Sequence, residues 1–445
     1  MGVAAASTST FPRFLDLDCP SIERGAGAWL FTTDGKRILD ATSGGAMVTS
    51  LGHGVKRVID AADRQSREIA YYYEEQLTSE PRERLADKLI EVAPEMARVR
   101  FASSGSEANE MAMRLARVYH VDRGENDRWR FISPAQAYHG STMGTLGLAG
   151  RTQTLQAPYG PYLQAQLHIA PSTWRSDPSG RAALEELDAR LEEAGAATVA
   201  AFFCEPVSAA AFPAYSPPDL FWHGLAERRE KHGFLICFDE VVTGIGRTGT
   251  WFAYQQLPLV PDIVTLGKGL GAGYAPISAV LCRQHVYDAI ANGSRAFDLG
   301  HTWDGAPLPC AVGLEVLNIL QEQRLVERVR EAGPRVRDEL ASRLHGNPLV
   351  RDVRGRGFLF GISLVDPRDG RSFLPAGLDV AHRVEDIALE HGLLVGATQS
   401  TADGFTGDEV LLAPPFVCTD EELRQMTDGF VDVMDEVAAW VNRSL

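Results

Sequence analysis

Two spacings of apolar residues organise the chain. From about residue 60, short continuous apolar runs alternate with longer stretches in which apolar residues return every three or four positions. The short runs read as strands buried on both faces, and the longer stretches as amphipathic helices. Thus "PRERLADKLIEVAP" predicts a helix, "VRFASS" a strand and "SEANEMAMRLARVYH" a helix. The order continues with strand "RWRFIS", helix "RAALEELDARLEEAG", strand "ATVAAFFCEP", helix "LFWHGLAERREKHG" and strands "FLICFDEV", "PDIVTLGK" and "PISAVLCR". This alternation implies an α/β fold with a mostly parallel sheet flanked by helices. Ahead of it, "GAWLFTTDGKRILD" reads as a hairpin around Asp34-Gly35. After about residue 307 a long helical connector leads to strand "GFLFGISLV", helix "DVAHRVEDIALEHG", strand "VLLAPPF" and a last helix from about 419, a smaller α+β unit. The expected organisation is an N-terminal arm over 1–58 that joins the small domain, a large domain over 59–325 and a C-terminal small domain over 326–445.

With 445 residues, 45% hydrophobic and 23% charged, the chain can bury a large core. A formal net charge of −16 argues against a nucleic-acid or anionic-membrane binder. No apolar run is long enough to cross a bilayer, and the first residues lack the features of a secretory signal. Six scattered cysteines without a C-x-x-C pair suit a reducing compartment, so a cytoplasmic enzyme is expected. The 11 histidines show no H-x-x-x-H or H-E-x-x-H spacing, and no metal site is expected.

Only Lys36, Lys56, Lys88, Lys231 and Lys268 could supply an amine nucleophile. Lys268 stands apart. In "VTLGKGLGAGYAP" it follows a strand end and is set among glycines, which permit sharp bends and close approach. The strand "FLICFDEV" ends in two acids, Asp239 and Glu240. Gly244, Gly246 and Gly249 then satisfy G-x-G-x-x-G, but "TWFAYQQLPLVP" follows instead of a helix, which speaks against a dinucleotide loop. Asp239 and Lys268 lie at the carboxyl ends of consecutive strands, where ligands of open α/β sheets bind. A buried carboxylate needs a cation or donors. A protonated heterocyclic nitrogen would satisfy it and leave the lysine free to form an imine, the combination pyridoxal phosphate requires. In "SSGSEANE", Ser103, Ser104, Gly105 and Ser106 precede a helix, and Ser104 to Glu107 fits a capping box. Backbone N–H groups at such a helix start bind phosphate well. "AYHGST" adds Tyr138 and His139, either ring able to stack on a flat heterocycle.

"SGSEANE", "AYHG", "EPV", "DEVVTGIGRTG", "LGKGLGAGYAP" and "GHTWDGAPLPCA" occur in one order, and over nearly its whole length the chain resembles the class III pyridoxal-phosphate-dependent aminotransferases of fold type I. The resemblance implies pyridoxal 5′-phosphate as cofactor and Lys268 as its Schiff-base lysine. Asp239 then holds the pyridinium proton. Ser104, Gly105 and Ser106 form the phosphate cup, Tyr138 stacks on one ring face with His139 beside it, and Val241 packs on the other. Thr302, in "GHTW", is implied to reach the phosphate in the neighbouring subunit of a homodimer. Glu205, in "FCEPV", orients groups near Asp239, whereas Arg247 in "GRTG" is structural. The implied activity moves an amino group from an amine or amino-acid donor to a keto or aldehyde acceptor in two half-reactions. A racemase, epimerase or decarboxylating enzyme with the same cofactor is the alternative, and a non-catalytic cofactor or amine sensor is a third reading.

The chain departs from the resemblance where substrates are selected. Ala209, Ala210 and Ala211 stand where relatives acting on ornithine or 4-aminobutyrate often carry a glutamate that masks an arginine. No arginine lies between Arg383 and Arg424, so the usual carboxylate anchor is missing or comes from Arg151, Arg354 or Arg356. In "AYYYEEQLTSEP", Tyr71, Tyr72 and Tyr73 suggest an aromatic entrance, and Glu74 and Glu75 an attraction for a cationic amine. An amine or amino-sugar-like substrate is expected rather than a dicarboxylate.

Overall fold

The computed structural model of the protein describes residues 9–11, 19–150, 158–164, 166–298, 300–398 and 407–445. Its central sheet has seven strands: β4 (Arg98–Ala102), β5 (Arg130–Pro134), β6 (Leu167–Ile169), β7 (Val199–Cys204), β8 (Leu235–Asp239), β9 (Ile263–Leu266) and β10 (Ser278–Cys282), in the order β4-β10-β9-β8-β7-β5-β6. The five strands from β9 to β6 are parallel, and β10 runs antiparallel to both of its neighbours. β7, β8, β9 and β10 are buried at every position, as their unbroken apolar runs require.

Strand pleating sends alternate residues to two separate cores. Ala201, Phe203, Leu235, Cys237 and Ile263 face one side, where helix α3 (Gly105–Asp122), which follows α1 (Lys56–Glu68) and α2 (Glu80–Val92) in the chain, packs with Ala112, Leu115 and Ala116. Phe202, Ile236, Phe238, Val264 and Leu266 face the other, larger core. There Phe202, Phe221, Trp222 and Phe238 make successive tilted and edge-on ring contacts. That alternation continues beyond the ends of β8 and β9 and decides where the functional side chains point.

Two smaller sheets complete the fold. β11 (Val350–Arg356), β12 (Leu359–Leu364), β14 (Gly396–Thr398) and β15 (Glu409–Leu412) form an antiparallel sheet in the order β11-β12-β15-β14. β1 (Ile22–Ala26), β2 (Trp29–Thr32) and β3 (Arg37–Asp40) form the expected hairpin and its neighbour, and β3 pairs in parallel with β13 (Leu393–Leu394). The N-terminal arm thus joins the C-terminal part of the chain. The connector is two helices, Pro307–Glu322 and Leu325–Arg343, broken at Arg324, whose φ is 52°. Among the described residues no helix is long and apolar enough to cross a membrane.

Candidate active site

The adjacent acids at the end of β8 have opposite surroundings. Asp239 continues the Leu235–Cys237 row toward α3 and is 6% exposed. Its Oδ2 accepts from Asn109 Nδ2 at 2.8 Å and lies 2.9 Å from His139 Nδ1, and its Oδ1 accepts from the Val241 N–H at 3.0 Å. Glu240 turns the other way and is fully buried. It accepts from the N–H groups of Ala253 (2.6 Å) and Tyr254 (2.9 Å) and from Thr243 Oγ1 (2.9 Å), pinning the segment that follows the glycine-rich turn. Burial raises the Glu240 carboxyl to about 7.

Thr265 pairs with Asp239 across β8 and β9, and Lys268 follows three residues on. Lys268 adopts φ 41°, a left-handed conformation rare for a residue with a side chain and most often retained at functional sites. It is half-buried and lines a cleft of about 550 Å³ with Gly105, Tyr138, Glu205, Asp239 and Val241. Burial lowers its pKa; Asp239 and Glu205 oppose this, and Arg247 adds to it. Among the described residues the Lys268 amine has no hydrogen-bond or ion-pair partner.

The first turn of α3 closes the cleft on one side. Ser104 caps it, accepting from Glu107 N–H at 3.2 Å. The Glu107 carboxylate returns to Ser103 N–H (2.9 Å), one residue before the position a reciprocal capping box would use. The cap therefore forms and the expected box does not. A Cβ on Gly105 would lie 2.9 Å from Val241 Cγ1, so glycine allows Val241 and the helix start to meet. Ser106 Oγ accepts from Ser141 N–H at 3.1 Å. Tyr138 is 40% exposed at the cleft, whereas the buried His139 ring is held by Asp239 and lies edge-on to Phe203. Glu205 accepts from Ala209 N–H at 3.1 Å, and burial raises its pKa, partly offset by His139.

The structure thus brings together Gly105, Ser106, Tyr138, His139, Glu205, Asp239, Val241 and Lys268 around one cleft, with Ser104 capping the helix that borders it. Thr302 does not line it; it is exposed on the loop after residue 300. Asp304, within hydrogen-bonding reach of Arg100 at 3.3 Å, anchors that loop. Asn109 and Thr265 belong to the site but were not singled out in the sequence. Their signal was parity: Asn109 lies one helical turn after Gly105, and Thr265 shares the α3-facing row of Ile263.

The entrance and the arginines require correction. Glu74 is held by Arg82 (3.3 Å) and Arg100, so it offers no free charge to a cationic substrate. Tyr72 is buried and donates to Gly305 O, whereas Tyr71 and Tyr73 remain exposed. Arg354 is occupied by Glu409, Asp352 and Ser363 and is not an open anchor. Arg247, 2% exposed, donates to Phe358 O, Pro414 O and Ser43 Oγ and serves as a structural clamp. Arg356 is half-buried and makes no close ion pair among the described residues, Asp219 acting on it only through space, and Arg151 lies outside them.

Comparison with known proteins converges on one family. The Aminotransferase class-III family matches residues 17–434. An uncharacterized aminotransferase of Schizosaccharomyces pombe is 34% identical over 94% of this chain and 93% of its own. A putrescine–pyruvate aminotransferase of Pseudomonas aeruginosa is 31% identical over 94% and 91%, respectively. The crystal structure of a thermostable (S)-enantioselective omega-transaminase from Thermomicrobium roseum superposes with a TM-score of 0.89 at 30% identity, covering 97% of both chains.

Proposed function

The chain belongs to the class III aminotransferases and is an aminotransferase of fold type I, and we propose that it works through pyridoxal 5′-phosphate held by Lys268 and takes primary amines as donors. One observation carries this reading: an unpartnered lysine amine, a buried carboxylate and a helix start without a Cβ border a single cleft. The donor set suits that cofactor. N–H groups at the start of α3 would meet a phosphate's charge, Asp239 would accept from a ring N–H, and Tyr138 and Val241 would offer two ring-sized faces. When bound, the cofactor supplies an electron sink for the carbon that loses its proton.

In this proposal Lys268 Nζ would hold the cofactor and, once free, would take the proton from the carbon bearing the donor's amine. The same Nζ would hand that proton back to complete the half-reaction. Its burial favours the neutral, basic amine needed for that transfer. Asp239 would keep a ring nitrogen protonated, with His139 holding its other oxygen from behind and Glu205 lining the cleft beside it.

For the donor, the cleft borders an apolar group formed by Met47, Val207, Ala209, Leu411 and Ala413 against Val242, and Arg247 and Arg354 are occupied by structural partners. This favours an amine without a second carboxylate, with a 2-oxo acid or aldehyde as acceptor. The putrescine–pyruvate relative is consistent with that class. The functional unit in this proposal is a cytoplasmic homodimer in which Thr302 reaches the neighbouring site. The exposed Thr302, Trp303 and Tyr71 support this, the last two in edge-on contact at 6.1 Å. Residues 59–325 form the cofactor-binding domain, and residues 1–58 and 326–445 supply the small one.

The test is the visible spectrum of the purified protein, followed by a panel of amine donors without acceptor. A yellow protein that bleaches with primary amines supports the proposal, and Lys268→Ala should lose at least about a thousandfold in turnover. Steady-state transamination by that variant would overturn the role of Lys268. Glutamate with 2-oxoglutarate as by far the best pair would overturn the donor class.

A further inference from the structure

We propose that Asn109 and Thr265 act as a positioning pair that presents Asp239 Oδ1 to the ligand and ties the carboxylate to the helix start at Gly105; this rests on the cofactor reading above. Asn109 is 1% exposed and Thr265 fully buried. Asn109 Nδ2 meets two groups that can only accept, Asp239 Oδ2 (2.8 Å) and His139 O (2.7 Å). Those acceptors dictate which end of the amide faces the site. Asn109 Oδ1 is left to receive the Thr265 hydroxyl at 2.6 Å. The side chain is thus fixed at both ends and joins α3, the end of β8, the end of β9 and the loop after β5.

The two oxygens of Asp239 become unequal. Oδ2 is taken by Asn109 and His139 together, whereas Oδ1 carries only the Val241 N–H. Asp239 lines the cleft, so Oδ1 is the oxygen with capacity left for a ring N–H. Without Asn109 the carboxylate could turn about its Cβ–Cγ bond, and Oδ1 would lose its aim. Because Asn109 follows Gly105 by one turn on the same helix, the phosphate end and the ring-nitrogen end of a cofactor are registered to one rigid element. Thr265 acts only through Asn109, orienting the amide.

Asn109→Leu keeps the branched heavy-atom skeleton and removes both donors; Thr265→Val removes the hydroxyl, and Thr265→Ser restores it. Two measurements decide the matter. In crystal structures of the cofactor-free variants, the Asp239 carboxylate should rotate in Asn109→Leu and stay in place in Thr265→Ser. In the holoenzymes, the pH titration of the bound cofactor's visible band should move by about tenfold in proton affinity in Asn109→Leu, the loss expected for one charge-assisted hydrogen bond. Thr265→Val should move it less, the double variant no further than Asn109→Leu alone, and Thr265→Ser not at all. An unmoved carboxylate in Asn109→Leu, or additive effects in the double variant, overturns the proposal. A wild-type protein that binds no pyridoxal phosphate would overturn the cofactor reading instead, while the crystal structures would still decide the role of the pair.

Discussion

Glu240 offers the sharpest quantitative test, because it neighbours Asp239 and yet is placed wholly on the structural side. Its carboxyl is fully buried, and burial raises it from 4.5 to about 7. A carboxyl raised on folding contributes stability that is complete below its unfolded value and is lost as pH rises through the folded one. At about 1.4 kcal/mol per pH unit, the whole span amounts to about 3 kcal/mol, of which about 2 kcal/mol falls between pH 5.5 and 8. Glu240→Gln cannot titrate, so it lacks this slope. It also cannot accept from the Ala253 and Tyr254 N–H groups and the Thr243 hydroxyl together, because one end of the amide is a donor. An orphaned buried N–H costs about 1–3 kcal/mol, so the variant should be the less stable protein at pH 5.5. Its deficit should then shrink by about 2 kcal/mol at pH 8. Urea unfolding of the cofactor-free wild type and variant, followed by tryptophan fluorescence at both pH values, measures the difference. Turnover at saturating cofactor should change little. Parallel stability curves, or a deficit that widens with pH, would refute the reasoning; a collapse of turnover at unchanged stability would move Glu240 into the chemistry.

Two further outcomes follow from the geometry. Arg247→Met should orphan Phe358 O and Pro414 O, strip Ser43 Oγ of its donor and cost about 3 kcal/mol or more, read as a lower Tm with KM for 2-oxo acids unchanged. A raised KM at unchanged Tm would make Arg247 a substrate group. Gly105→Ala should push its Cβ to 2.9 Å from Val241 Cγ1, an overpacking cost of about 1–3 kcal/mol that should appear chiefly as weaker cofactor affinity in a fluorescence titration. Unchanged affinity would separate that turn from the cofactor.

What could be read from the chain follows burial. β7, β8, β9 and β10 were legible because strands covered on both faces must be continuously apolar. β11, "VRDVRGR", was not: no apolar run marks it, and Arg354 is satisfied only in the fold, by Asp352 and by Glu409 of β15. β6 has only three residues, too few to show a period. The break at Arg324 has no glycine or proline to announce it. In the site, Lys268 and Asp239 stood out because an amine and a carboxylate at strand ends are conspicuous against apolar strands. Asn109 passed for an ordinary helical residue, since its partners His139, Asp239 and Thr265 come from three distant stretches of chain. Glu74 at the entrance misled for the same reason. Nothing near Glu74 in sequence reveals that Arg100 will neutralise it.

The pairing of Leu39 with Leu393 has a consequence for biogenesis. β3 emerges from the ribosome almost first and its partner almost last, so the N-terminal arm must wait through nearly the entire synthesis before its edge is satisfied. The segment after β3 waits with it: Ser43 is secured only when its hydroxyl donates to Ala413 O at 2.6 Å. A nascent chain can therefore assemble the seven-stranded sheet and still lack one clamp of Arg247. A message truncated near its 3′ end would yield a protein with every cleft residue present and an open seam, a ready target for quality-control proteases.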